Sequence, residues 1–263
     1  MIILDQPPLL VPLERPSIIR PGEEVKAAVP FGMFLGGAKD PYFANVELLL
    51  HGNGSHGSTV ILDSSKNGFT PSAIGGNASI STAQSRWGGS SIYFDGTGDY
   101  IAYNTLLPAL GTADLTIEFW FMTTTTSKQQ AIIDTKQVDG DSEPRVDFDN
   151  TFNGGANDGV LFFAGNAGRA TSSALSANTW YHVAVTRTSN VWRLFVGGVQ
   201  AGSNYTLATN MTRRRISLGC YTDVQNTSST NKFQGYLDDL RVTMGVSRYT
   251  TTFAVPTAPF PDQ

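Results

Sequence analysis

The sequence has one cysteine, three histidines and little charge. A single Cys220 excludes an intramolecular disulfide. It follows Ile216-Ser217-Leu218-Gly219, which suits a buried strand thiol rather than a nucleophile. Lys, Arg, Asp and Glu make up 15% of the chain, below the roughly 25% usual for soluble domains. The polar surface must therefore be built mainly from Ser, Thr, Asn and Gly. The net charge of −4 disfavours a nucleic-acid partner. The basic run Arg213-Arg214-Arg215 reads as a solvated strand or loop end. No apolar run approaches the roughly 20 residues of a membrane span. Residues 1–8 lack a basic stretch and end in Pro7-Pro8, so no signal peptide is expected.

Glycine and proline are plentiful, 27 and 13 residues, which suits many turns and few long helices. Seven of the prolines punctuate residues 1–44 (Pro7, Pro8, Pro12, Pro16, Pro21, Pro30 and Pro41). Proline at this density prevents a helix and most ladder pairing. Leu9, Leu10, Ile18, Ile19, Phe31 and Phe34 make the same segment too apolar for a solvated linker. An extended arm that anchors the chain on another protein surface reconciles both facts. An arm packed back on its own domain is the other reading.

From residue 45 the pattern changes to short strands and turns. Leu115, Ile117, Phe119 and Phe121 line one strand face, with Glu118 and Trp120 on the other. A hairpin follows: Trp180–Arg187 runs out, Thr188-Ser189-Asn190 turns, and Val191–Val196 runs back. Gly197-Gly198 then supplies the positive φ of a tight turn. Further strands are expected at 91–94, 100–103, 131–134, 145–148, 160–164, 216–220 and 233–242, and a helical turn has room only at 108–110 or in the tail. The fold class is therefore all-β, a two-sheet antiparallel β-sandwich over 45–263. The Pro-rich end, 256–261, reads as an extended strap.

Four stretches carry a family resemblance. They are Val46–Gly54 with Asp63–Gly68, Phe94–Ile101 with Leu115–Trp120, the hairpin, and Phe233–Val242 with Gly245–Tyr249. Together they resemble the laminin-G-like, concanavalin A-like jelly rolls of bacteriophage virion proteins, in the order that family has them. The resemblance implies a non-enzymatic tail, fibre or capsid-decorating component, made in the host cytoplasm and carried on the virion. The implied partners are other virion proteins through the arm, further copies of the chain, and a host-surface glycan. A free bacterial carbohydrate-binding module is the alternative; a glycoside hydrolase is a weaker third.

Single motifs are weighed on this frame. Gly52-x-Gly54-x-x-Gly57 mimics a dinucleotide fingerprint, but strand-like Thr59-Val60-Ile61-Leu62 follows where a helix is required, so it reads as a turn. Concanavalin A-like glycosidases carry Glu-x-Asp-x-x-Glu on one strand face. Here Glu118 stands alone and Asp147-Phe148-Asp149 lacks a third acid, so no catalytic residue is expected. Asp139-Gly140-Asp141-Ser142-Glu143 looks like a calcium loop but places Pro144 where an EF-hand needs Gly. Related jelly rolls hold a structural calcium between the early Asp-x-Ser-x-Asn-Gly loop and the acidic pair of the last long strand, which points to Asp63 and Asp238 as ligands of a Ca2+ ion. A salt bridge from Asp238 or Asp239 to a basic group is the other reading. Leu237 and Leu240 break strict alternation, so a bulge is expected at Asp238-Asp239. Sugar binding needs an exposed aromatic plane with amide or carboxylate partners. Trp87, Trp120, Tyr221 and Asp223 are the candidates; Trp180 and Trp192 are assigned to the core.

Overall fold

The computed structural model describes residues 39–104, 107–136, 143–149, 158–165, 167–212, 214–221 and 231–263. The anchoring residues Leu9, Leu10, Ile18, Ile19, Phe31 and Phe34 lie outside these, as does Asp223. Two antiparallel sheets face each other across a shared core. The first runs in the order β13 (Val199–Thr206), β12 (Val191–Val196), β11 (Tyr181–Thr188), β6 (Leu115–Thr123), β15 (Gln234–Met244), β4 (Ser91–Asp95) and β3 (Ser79–Ser81), with β1 (Val46–Leu50) also paired to β15. The second runs β10 (Ala167–Thr171), β9 (Gly159–Ala164), β8 (Arg145–Asp149), β7 (Gln130–Asp134), β14 (Ile216–Leu218), β5 (Tyr100–Tyr103) and β2 (Ala73–Gly75). A 3-10 turn at Phe43–Asn45 is the one helical element among the described residues; residues 108–110 hold none. Among the described residues no helix is long and apolar enough to cross a membrane.

Alternation decides what each strand buries. Leu115, Ile117, Phe119 and Phe121 of β6 enter the core with Val183, Val185, Leu194 and Trp192 of the hairpin. Val146 and Phe148 of β8, Val160 and Phe162 of β9, and Ile216 and Leu218 of β14 meet them from the second sheet. Cys220 is buried and makes no disulfide. Thr188 pairs with Val191, so the hairpin turns on two residues rather than the three expected. Ser189 and Asn190 both have positive φ, which matches the twist of the strands they join. Gly197 and Gly198 turn β12 into β13 in the same way. The bulge in β15 is where the sequence places it: register shifts between Asp238 and Arg241, and Asp239 has φ 50°.

The outer face of the first sheet is only partly open. Every residue of β6 is buried, including Thr116, Glu118, Trp120 and Met122, which point away from the core. The strap from residue 247 onward reaches Thr116 and Glu118, and Arg86 and Trp87 cover Trp120. Tyr249 and Phe253 stack 3.6 Å apart, Phe253 packs on Phe195, and the rings of Tyr249, Phe253 and Phe260 surround His182. Phe260 donates its N–H to Asp239 Oδ2, and Phe253 donates to the Gly198 carbonyl. Residues 40–44, which the sequence assigns to the arm, are built into this layer. Phe43 packs with Val46, Leu49 and Phe260, and the Asp40 carboxylate bridges Arg241 and Arg248.

Candidate ligand-binding site

Arg145 and Asp147 alternate with core residues of β8, so both lie on the outer face of the second sheet. Register places Phe163, Arg145, Asp134 and Ser217 in one row across β9, β8, β7 and β14. Asp147 Oδ2 accepts hydrogen bonds from Tyr221 Oη at 2.9 Å and Gln129 Nε2 at 3.3 Å, and sits 3.2 Å from Arg145. Gln129 also donates to Tyr221 Oη at 2.7 Å. The Arg145 guanidinium lies 4.0 Å from the Phe163 ring centre and 4.3 Å from that of Tyr221. One planar cation is thus held between two rings and tied to a carboxylate.

Electrostatically this site is poised. Burial pushes the Asp147 carboxyl up to about 7, against the pull of Arg145, Tyr221 and Gln129 and with a further push from Asp134. Tyr221 is also pushed up, first by its own burial and then by Asp147. Asp147 Oδ1 and Ser217 Oγ are buried without a hydrogen-bond partner among the described residues. Unpaired buried polar atoms are costly, and a bound water would satisfy both.

The sequence finds Tyr221 but misses Gln129 and Arg145, and it sets Asp147 aside as part of an incomplete acid set. Its other candidates lie elsewhere. Trp87 and Trp120 meet edge-on, 6.2 Å between centres, on the outer face of the first sheet. Arg86 lies against both rings, 4.3 and 4.2 Å from their centres. Trp120 is 4% exposed, so the platform expected there is closed; its outward direction is borne out, its openness is not. Trp192 is core, whereas Trp180 is half-buried rather than core.

Asp63 and Asp238 hold different parts of the fold. Asp63 accepts from Leu49 N and Ser65 N on one oxygen and from Ser65 Oγ and Phe69 N on the other. Those lone pairs are directed at donors, an arrangement that does not fit a cation. Asp238 Oδ2 accepts from Arg86 N and Trp87 N, pinning the loop over Trp120. Burial pushes Asp238 up to about 7, against those two amides. Asp239, its neighbour, pairs with His51 at 2.7 Å. Among the described residues no group of three or more His, Cys, Asp or Glu could hold a metal ion.

A cleft of about 270 Å3 lies between β10 and β13, lined by residues including Ser172, Leu175, Val196 and Gln200. Its lining holds neither a ring nor a charge.

Two antiparallel sheets packed face to face in this order have the architecture of a jelly-roll sandwich. Residues 95–246 match the laminin G-type family described as the concanavalin A-like lectin/glucanases superfamily, and the chain belongs to that family. No curated protein matches the sequence significantly. Solved structures share the fold at low identity. Domain 4 of AbnA, an extracellular arabinanase from Geobacillus stearothermophilus, superposes with a TM-score of 0.55 at 16% identity, over 77% of this chain and 94% of that one. The binding domain of botulinum neurotoxin serotype D gives 0.55 at 14%, over 78% and 49%. Trypanosoma rangeli sialidase gives 0.51 at 13%, over 76% and 31%. The chain therefore spans less than half of the toxin domain and of the sialidase.

Proposed function

We propose that this chain is a non-enzymatic glycan-binding domain carried in many copies on a bacteriophage virion, as a tail, fibre or capsid-decorating component. The observation that carries the binding reading is the cluster of Gln129, Arg145, Asp147 and Tyr221 on the outer face of the second sheet. Burying such a group costs several kcal/mol before its internal pairing offsets it, and Tyr221 stands half-buried beside it as a ring that a sugar can meet. Membership of a lectin-type family supports the reading, as does the arabinotriose bound to the arabinanase domain. The apolar, proline-punctuated arm supports attachment to an assembly. A single shallow site of this kind binds on the order of mM to high μM and gains from multivalency.

A glycan array probed with a multimerised form of the full chain tests this. Binding should be seen only for the clustered form and should fall on Asp147→Asn and on Tyr221→Phe. A multimer that binds no glycan would overturn the binding reading, and one that cleaves a bound glycan would overturn the non-enzymatic reading. The alternative, a free bacterial carbohydrate-binding module, predicts the same array result. Protein composition of purified particles separates the two: the chain should be present there in many copies.

A further inference from the structure

We infer that the glycan taken by the second-sheet site carries an acidic group, a carboxylate or a phosphate or sulfate ester, and that Lys232 receives it. The inference rests on the glycan-binding reading above and names the class of its ligand. Ala131 of β7 pairs with Asp147 on one side and bridges Lys232 on the other. The three stand in one row, about 10 Å from Asp147 to Lys232 at the usual inter-strand spacing. Phe233 and Ile101, the chain neighbours of Lys232 and Tyr100, are in the core. Lys232 and Tyr100 therefore turn to the same outer face as Asp147. Asn231 has φ 57° and donates to Gln129 Oε1 at 3.5 Å, which ties this turn to the Tyr221 cluster.

Lys232 is 6% exposed, yet among the described residues it makes no hydrogen bond and no ion pair. Its ammonium lies 5.1 Å from the centre of the half-buried Tyr100 ring. That ring is fixed over Gly75, where a Cβ would collide with it. Asp99 attracts the ammonium, but its two oxygens are committed to the backbone N–H groups of Asn77 and Asp95. A ring face returns only part of what an ammonium loses on leaving water. The fold gains little from this lysine, since a methionine would fill the same space without burying a charge.

Charge selects the occupant. Asp147, the carboxylate at the other end of the row, is tied to Arg145 at 3.2 Å. Lys128, one residue before Gln129, donates to the neutral Gly96 carbonyl and so keeps its positive charge. A sugar laid on Tyr221 and Gln129 brings a neighbouring residue of its chain to Lys232. A neutral glycan would cover the ammonium and leave it uncompensated. A bound water supplies a hydrogen bond there but no counter-charge. An acidic group supplies both, in a charge-assisted hydrogen bond.

The test uses the multimerised full chain on an array of oligosaccharides bearing uronate, phosphate-ester or sulfate-ester groups, each beside its neutral parent. Which acid binds best separates the three sources. For that acid, titration calorimetry should give wild type about tenfold tighter binding than the neutral parent, a margin that shrinks with added salt. Lys232→Met should bring the acidic glycan down to the level of its parent, with no loss of melting temperature. Lys232→Arg keeps the charge and should keep most of the margin. Equal binding of acidic and neutral members by wild type, or an unchanged margin in Lys232→Met, would overturn the acidic ligand while leaving the glycan reading in place. A clear fall in the melting temperature of Lys232→Met would assign the ammonium to the fold and overturn its role here. An array on which no glycan is bound would overturn the glycan reading and this inference with it.

Discussion

Glu118 and Asp147 occupy comparable places, each on the outer face of a central strand and each fully buried, yet they titrate in opposite directions. Burial raises Glu118, but Arg241 and then His182 outweigh it and hold its carboxyl down at about 2. Arg241 donates two hydrogen bonds to Glu118 Oε1, and Tyr249 donates to Oε2. Asp147 has one cation, which rings also share, and burial wins. The consequences for stability follow from which state binds protons more tightly. Folded Asp147 holds its proton more tightly than the unfolded carboxyl, so its contribution is present at low pH and is lost as pH rises through about 4 to 7. Asp238 acts in the same direction. Folded Glu118 does the reverse: its contribution is present above about 4.5 and is lost as pH falls toward 2. Urea midpoints should therefore decline from pH 5 to pH 8, and Asp147→Asn should flatten part of that slope. An unchanged slope in that variant would show that the carboxyl is already ionised. At neutral pH, Arg241→Met removes two hydrogen bonds from Glu118 and one from Asp40, leaves Arg248 as the one arginine between them, and should cost about 3–5 kcal/mol. The bonding of Asp63 gives one more expected outcome: the melting temperature should not move with chelator or with millimolar calcium.

At the scale of elements, the turn between β12 and β13 shows how two adjacent glycines differ. Both have positive φ, where a Cβ costs about 1–2 kcal/mol by itself. A Cβ on Gly197 would meet open space, whereas one on Gly198 would run into the Phe253 carbonyl of the strap. Gly197→Ala should therefore cost about 1 kcal/mol. Gly198→Ala should cost more and should also speed amide exchange at Phe253, which donates to Gly198. Equal losses in the two variants would mean that the strap does not bear on this turn. The hairpin of β11 and β12 was legible in the sequence, because Val183, Val185, Leu194 and Trp192 carry a strong alternating signal. Strands β4 to β9 and β15 were legible for the same reason. β13 was not: Val-Gln-Ala-Gly-Ser-Asn-Tyr-Thr is a polar edge strand, with a register shift opposite its middle, and alternation is lost there. The short β2 and β3 lack enough residues to show a period. The sites were legible only in part, for a different reason. Tyr221 stands out as a ring near a polar loop, but its partners arrive through tertiary pairing, Asp147 from β8 and Gln129 from the residue before β7. Trp120 misled because alternation tells which face a side chain takes, not what later covers that face.

For the whole molecule, the boundary between arm and domain matters most. Asp40 is 7% exposed, and its carboxylate takes Arg241 at 2.9 Å and both terminal nitrogens of Arg248. Burial raises its pKa, but Arg248, the Tyr42 amide and Arg241 together carry it below the usual carboxylate range. Its backbone N–H also reaches the carbonyl of Gln263. Asp40 therefore joins the start of the domain to the last long strand and to the end of the strap. The residues before it are apolar and proline-punctuated, a composition that suits anchoring. Two truncations separate these roles. Removal of residues 1–38 should leave a folded domain with a melting temperature near that of the full chain, but one that, on the proposed virion role, no longer joins a particle. Removal of residues 1–44 takes away Asp40 and Phe43 as well. Two buried arginines then lose their shared carboxylate, Phe260 loses a packing partner, and stability should fall by about 3–5 kcal/mol. The single change Asp40→Asn in the full chain should reproduce much of that loss while leaving incorporation intact wherever the protein folds. Circular dichroism melts and the protein composition of purified particles read the two effects separately. Normal incorporation of the 1–38 truncation would place the anchor within the jelly roll and return the arm to a purely local role.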